Sequence, residues 1–326
     1  MAHLNEAGTG IELAEPGVTI GVNMRNAVAG IILFAVSGTA LPNYAFAKEP
    51  TILNPSSKWV VNYADDSCRL ARAFGTGNAQ VLLMFDRFRP GPALNATLIG
   101  RPVRAPVGEG KVIFQFSEQG AEQKRSFATG EMENKLPAIM VNGALRAVAK
   151  PTSPDVSDEE AEAQAEDPGK LSPEEMRSRA DGISFIDVRV AGRSSLRLQT
   201  GKMGAPLEAL SQCTSNLIKG WGIDAEAHQS LMRPAMPAEN PRDWLSSGDY
   251  PAAMRWTGQQ AIVRFRLIVD EAGQPKSCHI QQSTRPEDFD KAVCKGIMRR
   301  ASFHPALDAA GKPIASYYVN RVRFKI

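Results

Sequence analysis

The sequence predicts an α+β protein: a β-rich mixed amino-terminal domain followed by a small antiparallel sheet packed with helices. Three observations predict it. Residues 261–269 alternate strongly, with Ala261, Val263, Phe265, Leu267 and Val269 on one face and Arg264 and Arg266, with Ile262 and Ile268 among them, on the other; a period of two with one apolar face is a half-buried strand. Phe289, Val293 and Ile297 recur every four residues, the buried stripe of an amphipathic helix. Between residues 58 and 198, short apolar runs are separated by turn residues.

From the start of the chain, Met24-Arg25-Asn26 opens a polar stretch, and Ala27 to Leu41 is an apolar run. Ala45 and Ala47 supply small residues before Lys48. This is the pattern of a secretory signal peptide, with cleavage expected before Lys48. The run is shorter than the roughly twenty residues that span a bilayer. Residues 1–47 are therefore read as an upstream extension plus signal peptide, and the mature chain is expected in the periplasm. The alternative is an uncleaved segment that anchors the protein in the inner membrane.

Residues 48–235 form the β-rich domain. Strands are expected over 58–63, 68–74, 79–86, 93–99, 111–116, 183–190 and 195–198. Ala64-Asp65-Asp66-Ser67 reads as a turn. A helix follows in GAPLEALSQCTSNLIKGWG, with Leu207, Leu210, Thr214 and Leu217 on one face and Gly220 as its stop. Residues 151–182 carry ten acidic residues and few large apolar side chains, and are expected as a mobile acidic loop. The proline-containing stretch 232–242 reads as a semi-rigid spacer that holds the next domain away.

Residues 236–326 form the second domain. After the strand at 261–269, Asp270-Glu271-Ala272-Gly273 is turn chemistry, with Gly273 able to adopt positive φ. A second strand covers KSCHIQQST, and Pro286 suits the start of the helix. In the last strand Tyr318, Val322, Phe324 and Ile326 share one face, and Arg321, Arg323 and Lys325 share the other.

Particular residues here resemble the carboxy-terminal domain of TonB-type energy transducers. They are Tyr250-Pro251, Val269-Asp270 with Gly273, Phe303-x-Pro305-Ala306, Gly311-Lys312-Pro313-Ile314, and the closing Val322-x-Phe324. Ser302 stands where the family pattern has Arg. The resemblance covers Asp249–Ile326. It implies recognition by β-strand addition, in which an extended segment of an outer-membrane TonB-dependent receptor, or of another envelope protein, pairs with the sheet edge. The expected edge is the last strand: Ile314, Ser316, Tyr317, Tyr318, Val319, Asn320, Arg321, Val322, Arg323 and Phe324. Its basic side chains would discourage indiscriminate pairing. The resemblance also brings inner-membrane motor proteins into view as partners. The classical transducer retains a membrane helix and a long proline-rich repeat, and neither is read here. An accessory envelope module without energy coupling is therefore the alternative. The DDSCRLAR and GAPLEALSQC stretches also resemble, more weakly, a domain attached to some exported TonB-like proteins.

The formal net charge of +3 and the absence of aromatic-basic stripes argue against nucleic acid. Four cysteines suit an oxidising compartment and allow three connectivities. One pair in each domain would join Cys68 to Cys213 and Cys278 to Cys294. No GxSxG, HExxH or phosphate-loop motif occurs, and His228, His279 and His304 have no nucleophile at a recognisable spacing. No enzyme activity, cofactor or metal is expected. A secreted enzyme or inhibitor carried by the first domain is the remaining alternative class.

Overall fold

The computed structural model describes residues 49–132, 135–147, 177–178, 180–284 and 286–326. The expected cleavage residues Ala45, Ala47 and Lys48, and most of the acidic loop, lie outside the described residues.

The first half contributes β1 (Thr51–Leu53), β2 (Val60–Tyr63), β3 (Cys68–Phe74), β4 (Val81–Arg87), β5 (Ala93–Ile99) and β6 (Glu109–Gln115). It continues with β7 (Glu122–Glu131), β8 (Pro137–Val141), β9 (Leu145–Arg146), β10 (Ile186–Val190) and β11 (Leu196–Leu198). They join one sheet in the order β1-β11-β10-β6-β7-β8-β5-β4-β3-β2, with β9 also on β5. Alternating residues point to one core: Leu70 and Phe74, Leu83 and Phe85, Leu94 and Leu98, Val112 and Phe114, Ile186 and Val188. The far ends of the sheet meet. Pro55 bridges Phe74, and the Gly75 N–H donates to the Asn54 carbonyl. Helix α1 (Gly204–Gly220) adds Leu207, Leu210 and Leu217 to this core. It is fixed to β3 by the Cys68–Cys213 disulfide. Beside that bridge the buried Arg87 donates from Nη1 to Ser211 Oγ at 2.8 Å, and burial lowers its pKa to about 10.

The second half contributes β12 (Met236–Pro237), α2 (Ala252–Trp256), β13 (Ala261–Val269), β14 (Pro275–Ser283) and α3 (Glu287–Arg300). It ends with β15 (Phe303–His304), β16 (Ala306–Leu307), β17 (Pro313–Ile314) and β18 (Ser316–Phe324). The main sheet is antiparallel with order β14-β13-β18; β12-β15 and β16-β17 form two small pairs. Val263, Phe265 and Leu267 pack with Phe289, Val293 and Ile297 of α3, and with Trp244, Phe303 and Tyr318. The Cys278–Cys294 disulfide ties β14 to α3. In the turn after β13, Asp270 Oδ1 accepts the N–H groups of Ala272 and Gln274. Gly273 sits at φ +78°, and its carbonyl accepts the Phe303 N–H at 3.0 Å.

The expected spacer at 232–242 is instead part of this second core. Ala235 is buried in it, β12 pairs with β15, and the Met232 N–H donates to the Leu307 carbonyl. Its prolines tolerate this because each pairing here is only a residue or two long, so few donors are demanded. Both cores lie in one compact unit.

Candidate functional site

The candidate site is the open side of β18. This strand pairs with β13 from Ala261 opposite Phe324 to Val269 opposite Ser316, without a register shift. Among the described residues no strand pairs on its other side. The groups that face outward follow from the neighbouring strand. The Ile262 N–H donates to Thr284 Oγ1, and the Ile262 carbonyl accepts the Thr284 N–H at 3.1 Å. Both Ile262 groups therefore point toward β14, as do those of Arg264, Arg266 and Ile268. The β18 residues opposite these four are Arg323, Arg321, Val319 and Tyr317. In an antiparallel ladder such residues turn their N–H and C=O away from the partner strand, here to the open side. Arg321 agrees: its N–H donates to Asn320 Oδ1 at 2.7 Å. The Asn320 amide in turn donates to the Tyr318 hydroxyl at 2.7 Å. One central donor of the edge is thus occupied by the strand's own side chain.

Side chains stand perpendicular to this edge. On one face Tyr318 and Phe324 enter the second core. The other face is covered by the β-rich half of the molecule. Arg266 pairs with Asp66 at 3.1 Å and lies over the Trp221 ring at 4.2 Å. His279 Nε2 meets the other Asp66 oxygen at 2.8 Å. Gln281 Nε2 donates to the carbonyls of Asp66 and Phe88. Arg264 donates to Asn95 Oδ1 at 3.0 Å and lies over Phe88. Arg323 pairs with Glu109, and Lys325 approaches the same carboxylate at 3.7 Å. Tyr317 packs against Trp221 and His228, and burial raises its hydroxyl pKa to about 12. Arg266 Nε, Trp221 Nε1 and Gln281 Oε1 are buried there without a hydrogen-bond partner. Each such group forfeits about 1–3 kcal/mol of desolvation.

Residues 247–326 match the family model for the Gram-negative bacterial TonB protein C-terminal domain. This part of the chain is a TonB-like C-terminal domain. Domains of this family are protein-interaction modules of envelope-associated proteins, and they generally engage outer-membrane receptors. No curated protein matches the chain. Among the described residues, no helix is long and apolar enough to cross a membrane, and no cluster of metal-ligating side chains occurs.

The structure redistributes the expected edge residues of the TonB-like domain. Ile314 is not on β18; it pairs with Ala306 in the small β16-β17 ribbon. Ser316, Tyr318, Asn320, Val322 and Phe324 turn their backbone groups to β13, so only Tyr317, Val319, Arg321 and Arg323 address the open side. The basic side chains expected along the outer edge do not lie there, because strand side chains leave the sheet at right angles. Arg323 and Lys325 face Glu109 instead. Both expected disulfides are present.

Sequence reasoning missed the residues that meet this face: Asp66, Asn95, Glu109, Trp221 and His228. Their only signal was a turn carboxylate and isolated aromatics. It also found no nucleophile for His228, whereas the fold brings Ser316 Oγ to 2.9 Å from Nε2. His228 Nδ1 is 2.7 Å from the Asp224 carbonyl, which can only accept, so Nδ1 carries the proton and Nε2 accepts from Ser316. Burial, the largest influence, lowers the His228 pKa against the opposing pull of Asp224 and keeps this neutral form. With Ser316 only 2 % exposed, the pair tethers the start of β18 and presents no nucleophile to solvent.

Proposed function

We propose that the protein is a periplasmic TonB-like envelope protein that binds an outer-membrane transport receptor by accepting an extended receptor segment along β18. The open side of β18 carries this reading. It is an uninterrupted strand with the N–H and C=O of four alternating residues directed away from β13, its only ladder partner among the described residues. A receptor strand would pair with Tyr317, Val319, Arg321 and Arg323 and displace the Asn320 amide from the Arg321 N–H. Export by cleavage before Lys48 belongs to the same proposal.

Arg321→Pro tests it. Its N–H makes no ladder bond to β13, so proline removes an edge donor while leaving the internal ladder in place. Affinity for a synthetic peptide copied from an extended receptor segment is expected to fall at least tenfold, the worth of about one hydrogen bond plus the clash of the ring with an added strand. Arg323→Ala keeps its backbone donor and should bind within about threefold of wild type. A folded Arg321→Pro protein, checked by near-ultraviolet circular dichroism, that binds at wild-type affinity rules out addition at this edge.

A further inference from the structure

The ion pairs across the covered face of the TonB-like sheet, among the described residues, are sorted by origin, although Arg89 of the β-rich half also acts on Tyr317. Both acids, Asp66 and Glu109, come from the β-rich half, and each meets two bases of the sheet. Asp66 takes Arg266 and His279; Glu109 takes Arg323 and Lys325. The contacts reach β18 at both ends. Its start is held by the Ser316–His228 bond and by Tyr317 against Trp221 and His228. Its last residues are held by Glu109. Between them, Val319 is buried on the same face at 3 % exposure. The strand with the open side is thus held at both ends, and covered on its odd-numbered face, by another part of the chain.

The grip is also incompletely satisfied. Arg266 Nε, Trp221 Nε1 and Gln281 Oε1 are buried within it unpaired. The Glu109 pairs are half exposed, with side-chain exposures of 49 % for Glu109, 32 % for Arg323 and 52 % for Lys325. Exposed ion pairs are weak and screened by salt. A permanent interface is apolar and fully paired; this one has the composition of a contact that opens.

We propose that the β-rich half is an intramolecular clamp that restrains β18, and that releasing Asp66 and Glu109 frees the strand for a partner. The edge must twist to follow an incoming strand and must surrender the Asn320 plug, and a strand fixed at both ends and flat against a second surface resists both. This rests on the reading of β18 as a partner-accepting strand. The clamp gives the β-rich half a role: it regulates that edge.

The test uses the full chain carrying Asp66→Asn and Glu109→Gln together, which removes both acceptor charges and keeps side-chain shape. Amide hydrogen exchange at Tyr318, Asn320 and Val322, whose backbone groups pair with β13, measured without any partner, is expected to accelerate about tenfold. Affinity for the receptor-segment peptide is expected to rise about tenfold. The fully reversed set Glu109→Lys with Arg323→Glu and Lys325→Glu, in an otherwise unaltered chain, should leave exchange within twofold of wild type, because both attractions are restored. Unchanged exchange in the Asp66→Asn/Glu109→Gln protein, with peptide binding retained, overturns the clamp alone. Faster exchange with weaker binding also overturns it, since the β-rich half would then be preparing the strand. If neither protein binds any receptor segment while exchange accelerates, the strand-addition reading falls and the inhibitory role falls with it.

Discussion

Replacing Gly273 by alanine should cost far more than the same change at Gly311, although both residues sit at φ +78°. The left-handed conformation costs a residue with a Cβ about 1–2 kcal/mol. Loss of glycine's freedom in the unfolded chain offsets about 0.4–1 kcal/mol of this at both sites. At Gly311 nothing else opposes the new methyl group, since the nearest atom is the flexible end of Met232 at 3.7 Å; the net loss is about 1 kcal/mol. At Gly273 a Cβ would lie 2.0 Å from the Phe303 carbonyl oxygen, well inside the 3.0 Å that real Cβ atoms respect. The turn must retreat from Phe303. That breaks the 3.0 Å bond from the Phe303 N–H to the Gly273 carbonyl, worth about 1 kcal/mol. It also displaces a core side chain only 5 % exposed, at about 1–3 kcal/mol for forced repacking. The expected loss is about 3–5 kcal/mol. Native-state hydrogen exchange at Phe265 and Leu267, whose N–H groups bond to β18 at the centre of the sheet, reads this as a fall in opening free energy. Equal losses for the two variants, within about 0.5 kcal/mol, would refute the close-approach argument and leave backbone conformation as the whole effect.

Two further outcomes are expected. Cys294→Ser opens a loop with a sequence separation of 16 and should destabilise the TonB-like domain by about 3 kcal/mol on the chain-entropy model, measured by chemical denaturation under non-reducing conditions; a loss below about 0.5 kcal/mol would show that the bridge contributes nothing to the fold. Asp249 is drawn down to about 2, chiefly by its hydrogen bond from Arg300 and then by the Ser246 N–H. Its folded pKa lies below the ordinary carboxylate value of 3.8, so its stabilisation is complete above about pH 4 and is lost as pH falls toward 2. Allowing for solvent screening, Asp249→Asn should cost about 1–2 kcal/mol at pH 7 and almost nothing near pH 2, and a penalty that stays constant across that range would contradict the assignment.

The TonB-like domain was legible because its local periods coincide with its tertiary burial. The alternation of β13 and the four-residue repeat of α3 each point at one core, and the Asp270-to-Gly273 turn carries its own hydrogen-bond chemistry. The other face of β13 was misread as solvated. Arginines on a strand look alike in sequence whether water or another polar surface covers them, so Arg264 and Arg266 gave no hint of Asn95, Phe88, Asp66 and Trp221. Strand β7 went unseen for a related reason. In EQKRSFATGE, three consecutive residues, Arg125, Ser126 and Phe127, are buried, which erases the period of two; the Arg125 guanidinium lies inside because it donates to the Ala144 carbonyl. The spacer was misjudged because proline content reports backbone stiffness and does not report what the stiff segment packs against. The expected edge strand does have an open side among the described residues, but which of its residues face outward depends on hydrogen-bond phase, which Thr284 reveals only once it is paired with Ile262.

The continuous register between β13 and β18 has a mechanical consequence. A strand laid along the open side of β18 would run in line with nine facing residue pairs, Ala261–Phe324 to Val269–Ser316. Tension applied along that added strand would then load the hydrogen bonds of the β13–β18 ladder in shear, all together, where a perpendicular pull would open them one at a time from an end. The load would pass into β13 and on to β14, where the Cys278–Cys294 bridge anchors the sheet covalently to α3. The fold is arranged to bear a pull along the strand direction and to yield to one across it.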